Sequence, residues 1–431
     1  MSTERLSANK RKRKNANMRE RMRNRKVVSA FCCFLAIVIA FVLGFVVRSN
    51  TAFVQSLGFP TEWGTSQPGT PASEKTTYEA ISARVGEVED ILKLYSMDEL
   101  DLSKATSSML EDMMRSTNDP YAQYYDPSRY ENFVKESAEK SYSGIGVLFG
   151  EYDGRAYVTD VFTGSEANAR GVEQGDFVVA IDGDSSHKWS MTEVIGSLKR
   201  GEGSNVVITW MRPASLDATN GEQFTTTLEC RVYEEENISY SIDGDVGYVK
   251  VRQMTSDAAA LVKNAVNDLS NQQAKAFVID VRDNPGGYLT QALDMASLFV
   301  SGGVLVSIQT NDNESPRNAS GETITTAPIV VLMNQYTAAS AEVFAAALED
   351  NQRATMVGQT TMGKGSVQVV RELTFGGAVR YTAAYYLTPQ GHSIDGTGVT
   401  PDIVVANQDG EDGDTQLNVA LDAAHSMIEG A

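Results

Sequence analysis

The chain has 431 residues, 42% of them hydrophobic and 22% charged, with a net charge of −19. That length allows two or three domains, and the acidic balance argues against a nucleic-acid-binding body. A disulfide-stapled fold is excluded as well: Cys32 and Cys33 share one apolar run, and only Cys230 lies in the remainder.

The charge is unevenly spread. Residues 1–26 carry eleven Lys and Arg against Glu4 and Glu20, or +9, which leaves −28 on the rest. This basic stretch reads as a cytoplasmic tail, because residues 27–47 (VVSAFCCFLAIVIAFVLGFVV) form an uncharged run long enough to span a bilayer. With the positive flank ahead of the run and only Arg48 behind it, the expected arrangement is a single-pass signal-anchor. The N-terminus is then cytoplasmic and the body extracytoplasmic.

Residues 48–75, with their repeated Gly and Pro, read as a linker. From 76 to 140 the pattern is helical: Ile81, Val85, Val88, Ile91, Leu92 and Tyr95 recur at three- and four-residue spacing. A second helix at 102–116 leads to the helix-breaking turn Asp119-Pro120-Tyr121.

Residues 141–232 read as a small β-rich domain. It opens on Gly144-Ile145-Gly146-Val147, has strands at 156–161, 177–181, 206–211 and 224–230, and one helix at 190–198. Between 233 and 406 strands alternate with helices: 246–251, 276–281 and 329–333 extended, 256–269 and 289–299 helical. Such alternation predicts an α/β core with a mostly parallel sheet. The polar segment 311–321 is expected to be a surface loop, and 407–431 a tail with a short helix.

Two places carry chemistry. Gly286 and Gly287 follow the 276–281 strand, where their N–H groups would face the crevice. Further on, the strand 329–333 enters a tight turn and a helix at Ala339 and Ser340, followed by a strand with Gly363-Lys364-Gly365 and then Gln368. A small-residue turn at a helix N-terminus and a glycine-flanked lysine suit a Ser-Lys hydrolase: free N–H groups can hold an oxyanion, and a desolvated lysine can act as base. A Ser-His-Asp triad is disfavoured by the three scattered histidines, His187, His392 and His425, and no metal-ligand spacing occurs. Neither a metal nor a cofactor is called for.

The string Asn334–Gln368 resembles the carboxyl-terminal processing (tail-specific) protease family, whose motif reads roughly N-x-x-[ST]-A-S-x-x-E, then G-K-G-x-x-Q. Asn334, Thr337, Ala338, Glu342, Gly363, Lys364, Gly365 and Gln368 match it. Val281-Arg282-Asp283-Asn284-Pro285-Gly286-Gly287 is similar to the family's L-R-x-N-x-G-G string, and 141–232 resembles a PDZ domain. The resemblance implies an inserted PDZ domain whose 144–147 loop takes a protein's C-terminal carboxylate. It also implies a Ser-Lys dyad in which residue 339 attacks, Lys364 is the base and Gln368 positions it. N–H groups of Gly286 or Gly287 and of residue 340 would hold the oxyanion. Partners would be protein tails, and self-association is left open.

One position departs from the family. The expected nucleophile is Ala339, and the nearest serine, Ser340, is turned by about 100° on a helix. Three readings follow: a Ser-to-Ala form of an active protease, a non-catalytic relative that binds tails, or attack by Ser340.

Overall fold

The computed structural model describes residues 73–138, 144–233, 236–406 and 413–429. The expected tail, membrane span and most of the linker lie outside these residues. Among the described residues no helix is long and apolar enough to cross a membrane. Residues 73–75, expected to end the linker, open a helix instead, Ser73–Tyr95.

The chain divides into two units, 1–100 and 101–431. In the first, the described structure is the Ser73–Tyr95 helix and the short stretch after it. The second begins with helix Leu102–Arg115, whose N-cap Asp101 accepts from Lys104 N at 3.0 Å. Strand Gln123–Tyr125 and helix Pro127–Ala138 follow.

Six strands form the central sheet, in the order Ile403–Val404, Thr355–Gly358, Ile329–Met333, Ala276–Asp280, Val246–Val251 and Ile238–Asp243. The first five run parallel and the last is antiparallel. Side chains alternate across it with the period of two that a strand imposes. Phe277, Ile279, Ile329, Val331 and Met333 face one core, with helices Ala258–Asn271, Leu289–Ser297 and Ser340–Asp350. Ala276, Val278, Val330 and Leu332 face a second core, closed by Ala420 and Ala424 of helix Thr415–Glu429. That last helix has 15 residues and is buried along one stripe, so it is a structural layer rather than the short helix of a tail.

Helix Ser340–Asp350 is buried through Leu348. Its alanines let it lie close to the sheet below and to strand Val304–Gln309 of a second, antiparallel sheet. That sheet runs Gln123–Tyr125, Ala378–Leu387, Val304–Gln309, Glu314–Asn318, with Ser366–Glu372 paired to Ala378–Leu387. Glu314–Asn318 was expected within a loop. It is a polar, largely exposed edge strand, and edges need no apolar alternation to pair.

A third sheet is a five-stranded antiparallel unit, Val147–Tyr152 through Gly221–Glu229, closed by helix Met191–Leu198 around Trp210, Phe149 and Leu228. Within the second unit it is fastened to the rest of the fold. Tyr157, Phe177 and Met211 pack against Tyr336 and Met362, Gln174 donates to Asp283 at 2.6 Å, and Arg252 pairs with Asp160.

Candidate active site

Three loops leave the C-terminal ends of three adjacent parallel strands, the crevice where open α/β sheets place ligands. Residues 281–287 follow Ala276–Asp280, residues 334–339 follow Ile329–Met333, and residues 359–365 follow Thr355–Gly358. Lys364 therefore stands in an irregular loop, not on a strand as expected; pairing begins only at Ser366. The backbone of Asp395 approaches Gly365 so closely that a Cβ there would come 2.3 Å from Asp395 N, so only glycine fits.

The first two loops are stitched together. Asn334 donates to Asp283 at 2.7 Å, Thr337 Oγ1 to Val281 O at 2.8 Å, and Ala338 N to Asn284 O at 2.9 Å. This holds Ala339 in a conformation its side chain disfavours, φ 52° and ψ −120°. A strained strand-to-helix turn is what presents a nucleophile above a sheet edge. Residue 339 thus stands on such a turn and carries a methyl group there.

Glu342, wholly buried, joins this turn to the lysine loop. Its Oε2 accepts from Ala339 N at 2.9 Å and Lys364 N at 2.8 Å, and its Oε1 from Thr361 Oγ1 and Gly363 N, both at 2.6 Å. One oxygen therefore touches the amide nitrogens of both residue 339 and residue 364. Burial pushes the Glu342 carboxyl up to about 7, with the four donors pulling the other way.

The oxyanion donors sort themselves by hydrogen bonding. Gly286 N donates to Asn284 Oδ1 at 2.9 Å and is taken. Gly287 N and Ser340 N have no partner among the described residues. They are brought near one another, since a Cβ on Gly286 would meet both Ala339 Cβ, at 2.9 Å, and Ser340 N, at 3.0 Å. Of the N–H groups expected to hold an oxyanion, those of Gly287 and Ser340 are the ones without a partner among the described residues. The Ser340 hydroxyl is buried and unpartnered, so Lys364 does not hydrogen-bond it and no base stands against it.

The Lys364 ammonium lies 5.2 Å from the Tyr121 ring centre, and the Arg380 guanidinium 5.9 Å from the same ring. Arg380 is paired with buried Glu151 at 2.6 Å. Burial pushes the Lys364 amine below the usual lysine range. Glu151 opposes this, Arg380 adds to it, and Glu342 opposes it. The residue as a whole is half-buried, yet desolvation is set by the packing around its nitrogen rather than by its total accessible area. Gln368 was expected to position the lysine. Its amide instead donates to Ser366 Oγ at 3.0 Å and lies 3.5 Å from Thr382 Oγ1, because pairing with Ala378–Leu387 aims it along the sheet.

The motif reading missed Tyr121, Glu151 and Arg380, which reach Lys364 from three distant segments. It quoted Glu342 only as a motif letter, although a Glu three residues past a helix start is a recognisable capping signal. Elsewhere, Ile145 N and Gly146 N of the 144–147 loop are without partners among the described residues, while Gly144 is bridged to Arg231. No group of metal-ligating side chains occurs among the described residues.

Comparison with known proteins agrees with this geometry. The model of peptidase family S41 matches residues 245–405. Over 347 residues the chain is 30% identical to a carboxy-terminal-processing protease of Bartonella bacilliformis, covering 79% of this chain and 78% of that one. It is 31% identical over 307 residues to a carboxyl-terminal-processing protease of Synechocystis sp., covering 70% and 71%. A solved photosystem II D1 C-terminal processing protease superposes with a TM-score of 0.60 at 28% identity, over 74% of this chain and 85% of that one.

These likenesses define a serine-type peptidase, a class that acts on protein substrates. The chain belongs to peptidase family S41, among the carboxyl-terminal-processing proteases, which bears out the resemblance read from its motifs.

Proposed function

We propose that this chain is a membrane-anchored, extracytoplasmic endopeptidase of the C-terminal processing type, built around a Ser-Lys dyad whose nucleophile position is held by Ala339. The observation that carries the proposal is the strained turn at Ala339, bound through one Glu342 oxygen to the loop bearing Lys364. The organisation that goes with it is a basic cytoplasmic tail (1–26), a span (27–47), a linker, a helical segment, a PDZ domain over 141–232 and a protease core over 233–406. Supporting the PDZ assignment are the two unpartnered N–H groups at Ile145 and Gly146, which suit a peptide's terminal carboxylate.

With a hydroxyl at position 339, that oxygen attacks the peptide carbonyl while neutral Lys364 takes its proton. Negative charge gathers on the carbonyl oxygen, which the N–H groups of Gly287 and Ser340 receive. The Lys364 ammonium then returns its proton to the leaving amine, the C–N bond breaks, and an ester to residue 339 remains. Water, deprotonated by the same lysine, hydrolyses it. With Ala339 the first bond cannot form, so the chain as it stands holds a peptide without cutting it.

Ala339 favours one second reading, a tethered binder of protein C-termini without hydrolysis. The full chain and its Ala339→Ser variant, each mixed with an unstructured protein, separate the two. Cleavage by the serine variant alone is expected. Tail binding by both chains with cleavage by neither would leave the binder, and cleavage by the parent chain would point to Ser340.

A further inference from the structure

We infer that Asp119 is a positioning residue for Lys364: its two carboxylate oxygens hold the Tyr121 ring over the lysine nitrogen and fasten that ring's turn to the strand opposite Gln368. The inference rests on the reading of Lys364 as the base. In the turn Asp119-Pro120-Tyr121, Asp119 Oδ1 accepts from Tyr121 N at 3.0 Å, and Asp119 O accepts from Ala122 N at 3.1 Å. Pro120 has no N–H to give, so the Asp119 side chain sets the course of the backbone here. The second anchor lies 263 residues further along the chain. Thr382 N donates to Asp119 Oδ2 at 2.6 Å, and Thr382 Oγ1 donates to Asp119 Oδ1 at 3.0 Å. Strand Gln123–Tyr125 pairs with Ala378–Leu387 only as far as Arg380, and Val304–Gln309 takes up the pairing at Tyr385. Between them the Thr382 N–H donates to a carboxylate in place of a strand. The Thr382 hydroxyl is also the group 3.5 Å from the Gln368 amide, so one carboxylate fixes neighbours of both Lys364 and Gln368.

Tyr121 is 7% exposed, and its ring centre lies 5.2 Å from the Lys364 ammonium. A ring so placed displaces water from the nitrogen, while its face attracts the charged form. Burial is the largest influence on this amine and holds it below the usual lysine range, so the displacement of water outweighs the attraction. The charges that act on the nitrogen are Glu151, Arg380 and Glu342, and those that face the ring are Glu151, Asp153 and Asp395. The two routes by which Asp119 could reach Lys364 have opposite signs. Loss of a carboxylate's field alone lowers an amine's midpoint, whereas release of the ring admits water and raises it.

The test uses the full chain in mild detergent and follows the pH midpoint of Lys364 acylation by mass spectrometry. The midpoint reports the charge on the amine, while access of the reagent affects only the plateau rate. Asp119→Ala should raise the midpoint by about one pH unit. Tyr121→Leu should raise it as far, and Tyr121→Phe, which loses only a hydroxyl, should leave it in place. Asp119→Ala combined with Tyr121→Leu should shift it no further than Tyr121→Leu alone, because both changes act through one ring. Circular dichroism checks that each variant is folded. Should Asp119→Ala not fold, Asp119→Asn keeps the turn and loses the bond to Thr382 N, and a smaller rise is expected. A midpoint that falls or stays in place, or shifts that add in the double variant, would overturn the inference and leave Lys364 as the base. A parent chain whose Lys364 titrates in the ordinary lysine range would overturn both.

Discussion

Arg380 and Glu151 meet in a buried ion pair at 2.6 Å, and the Arg380 guanidinium shares the Tyr121 ring with the Lys364 ammonium. The pair joins the antiparallel unit to the second sheet and sets the field around the amine. Its two members act on Lys364 with opposite signs. Glu151→Gln should push the Lys364 amine further down, because the carboxylate that favours its charged form is gone. Arg380→Met should raise it, because a cation is lost and Glu151 is left free. The pH dependence of Lys364 acylation by an amine-reactive reagent, read by mass spectrometry, reports both without any need for turnover. Shifts of the same sign would contradict this account. Arg380→Met should also cost about 3–5 kcal/mol in denaturant unfolding, as a buried charge loses its partner.

Gly287 has no room for a side chain. A Cβ there would stand 2.3 Å from the Met254 carbonyl oxygen, and the residue has a φ of 142°. Gly287→Ala should destabilise the protein by about 2–4 kcal/mol, because a backbone strand rather than a flexible side chain must move. Urea unfolding measures it. A loss under about 1 kcal/mol would mean that the 253–255 segment yields easily.

The strain at Ala339 predicts a gain. Ala339→Gly removes the Cβ penalty of a positive φ, about 1–2 kcal/mol, and gives back part of that as extra freedom of the unfolded chain. A net stabilisation of about 0.5–1 kcal/mol is expected by the same unfolding measurement. Unchanged or lower stability would show that the turn carries no strain.

Two carboxyls should make stability depend on pH in an unusual direction. Burial raises both Glu342 and Glu349 to about 7, with Asp350 and Asp402 adding to the shift at Glu349. A carboxyl raised on folding stabilises the protein fully below its ordinary value near 4.5. That contribution is lost as pH rises through about 7. Glu349→Gln removes one such group away from the site. Its stability relative to the parent chain should therefore improve between about pH 4.5 and pH 7 and level off above that. A flat difference, or one of opposite slope, would show that Glu349 ionises normally.

The parts of this fold that were legible from sequence are those fixed by local pattern. Strands Val246–Val251 and Ile329–Met333 were bounded correctly because each is a short apolar run between turn residues. The two motif loops were legible because glycine and small residues at a strand end have few other uses. What stayed hidden was set by partners far along the chain. Nothing near Gly286 announces that Asn284 consumes its N–H. Nothing near Gln368 announces that Thr382, across the sheet, stands where its amide is drawn away from Lys364. Tyr121, Glu151 and Arg380 converge only once three sheets have formed. Edge strand Glu314–Asn318 was lost because its residues are those of a loop.

The placing of the Gly287 and Ser340 N–H groups depends on contacts separated by long stretches of chain. Met254 N donates to Gly286 O and Tyr288 N to Met254 O, Ala338 N is held by Asn284 O, and Glu342 reaches forward to Gly363 and Lys364. A chain in which these clips are open does not hold the Gly287 and Ser340 N–H groups side by side. Their juxtaposition is thus a property of the assembled fold and belongs to no single loop of it.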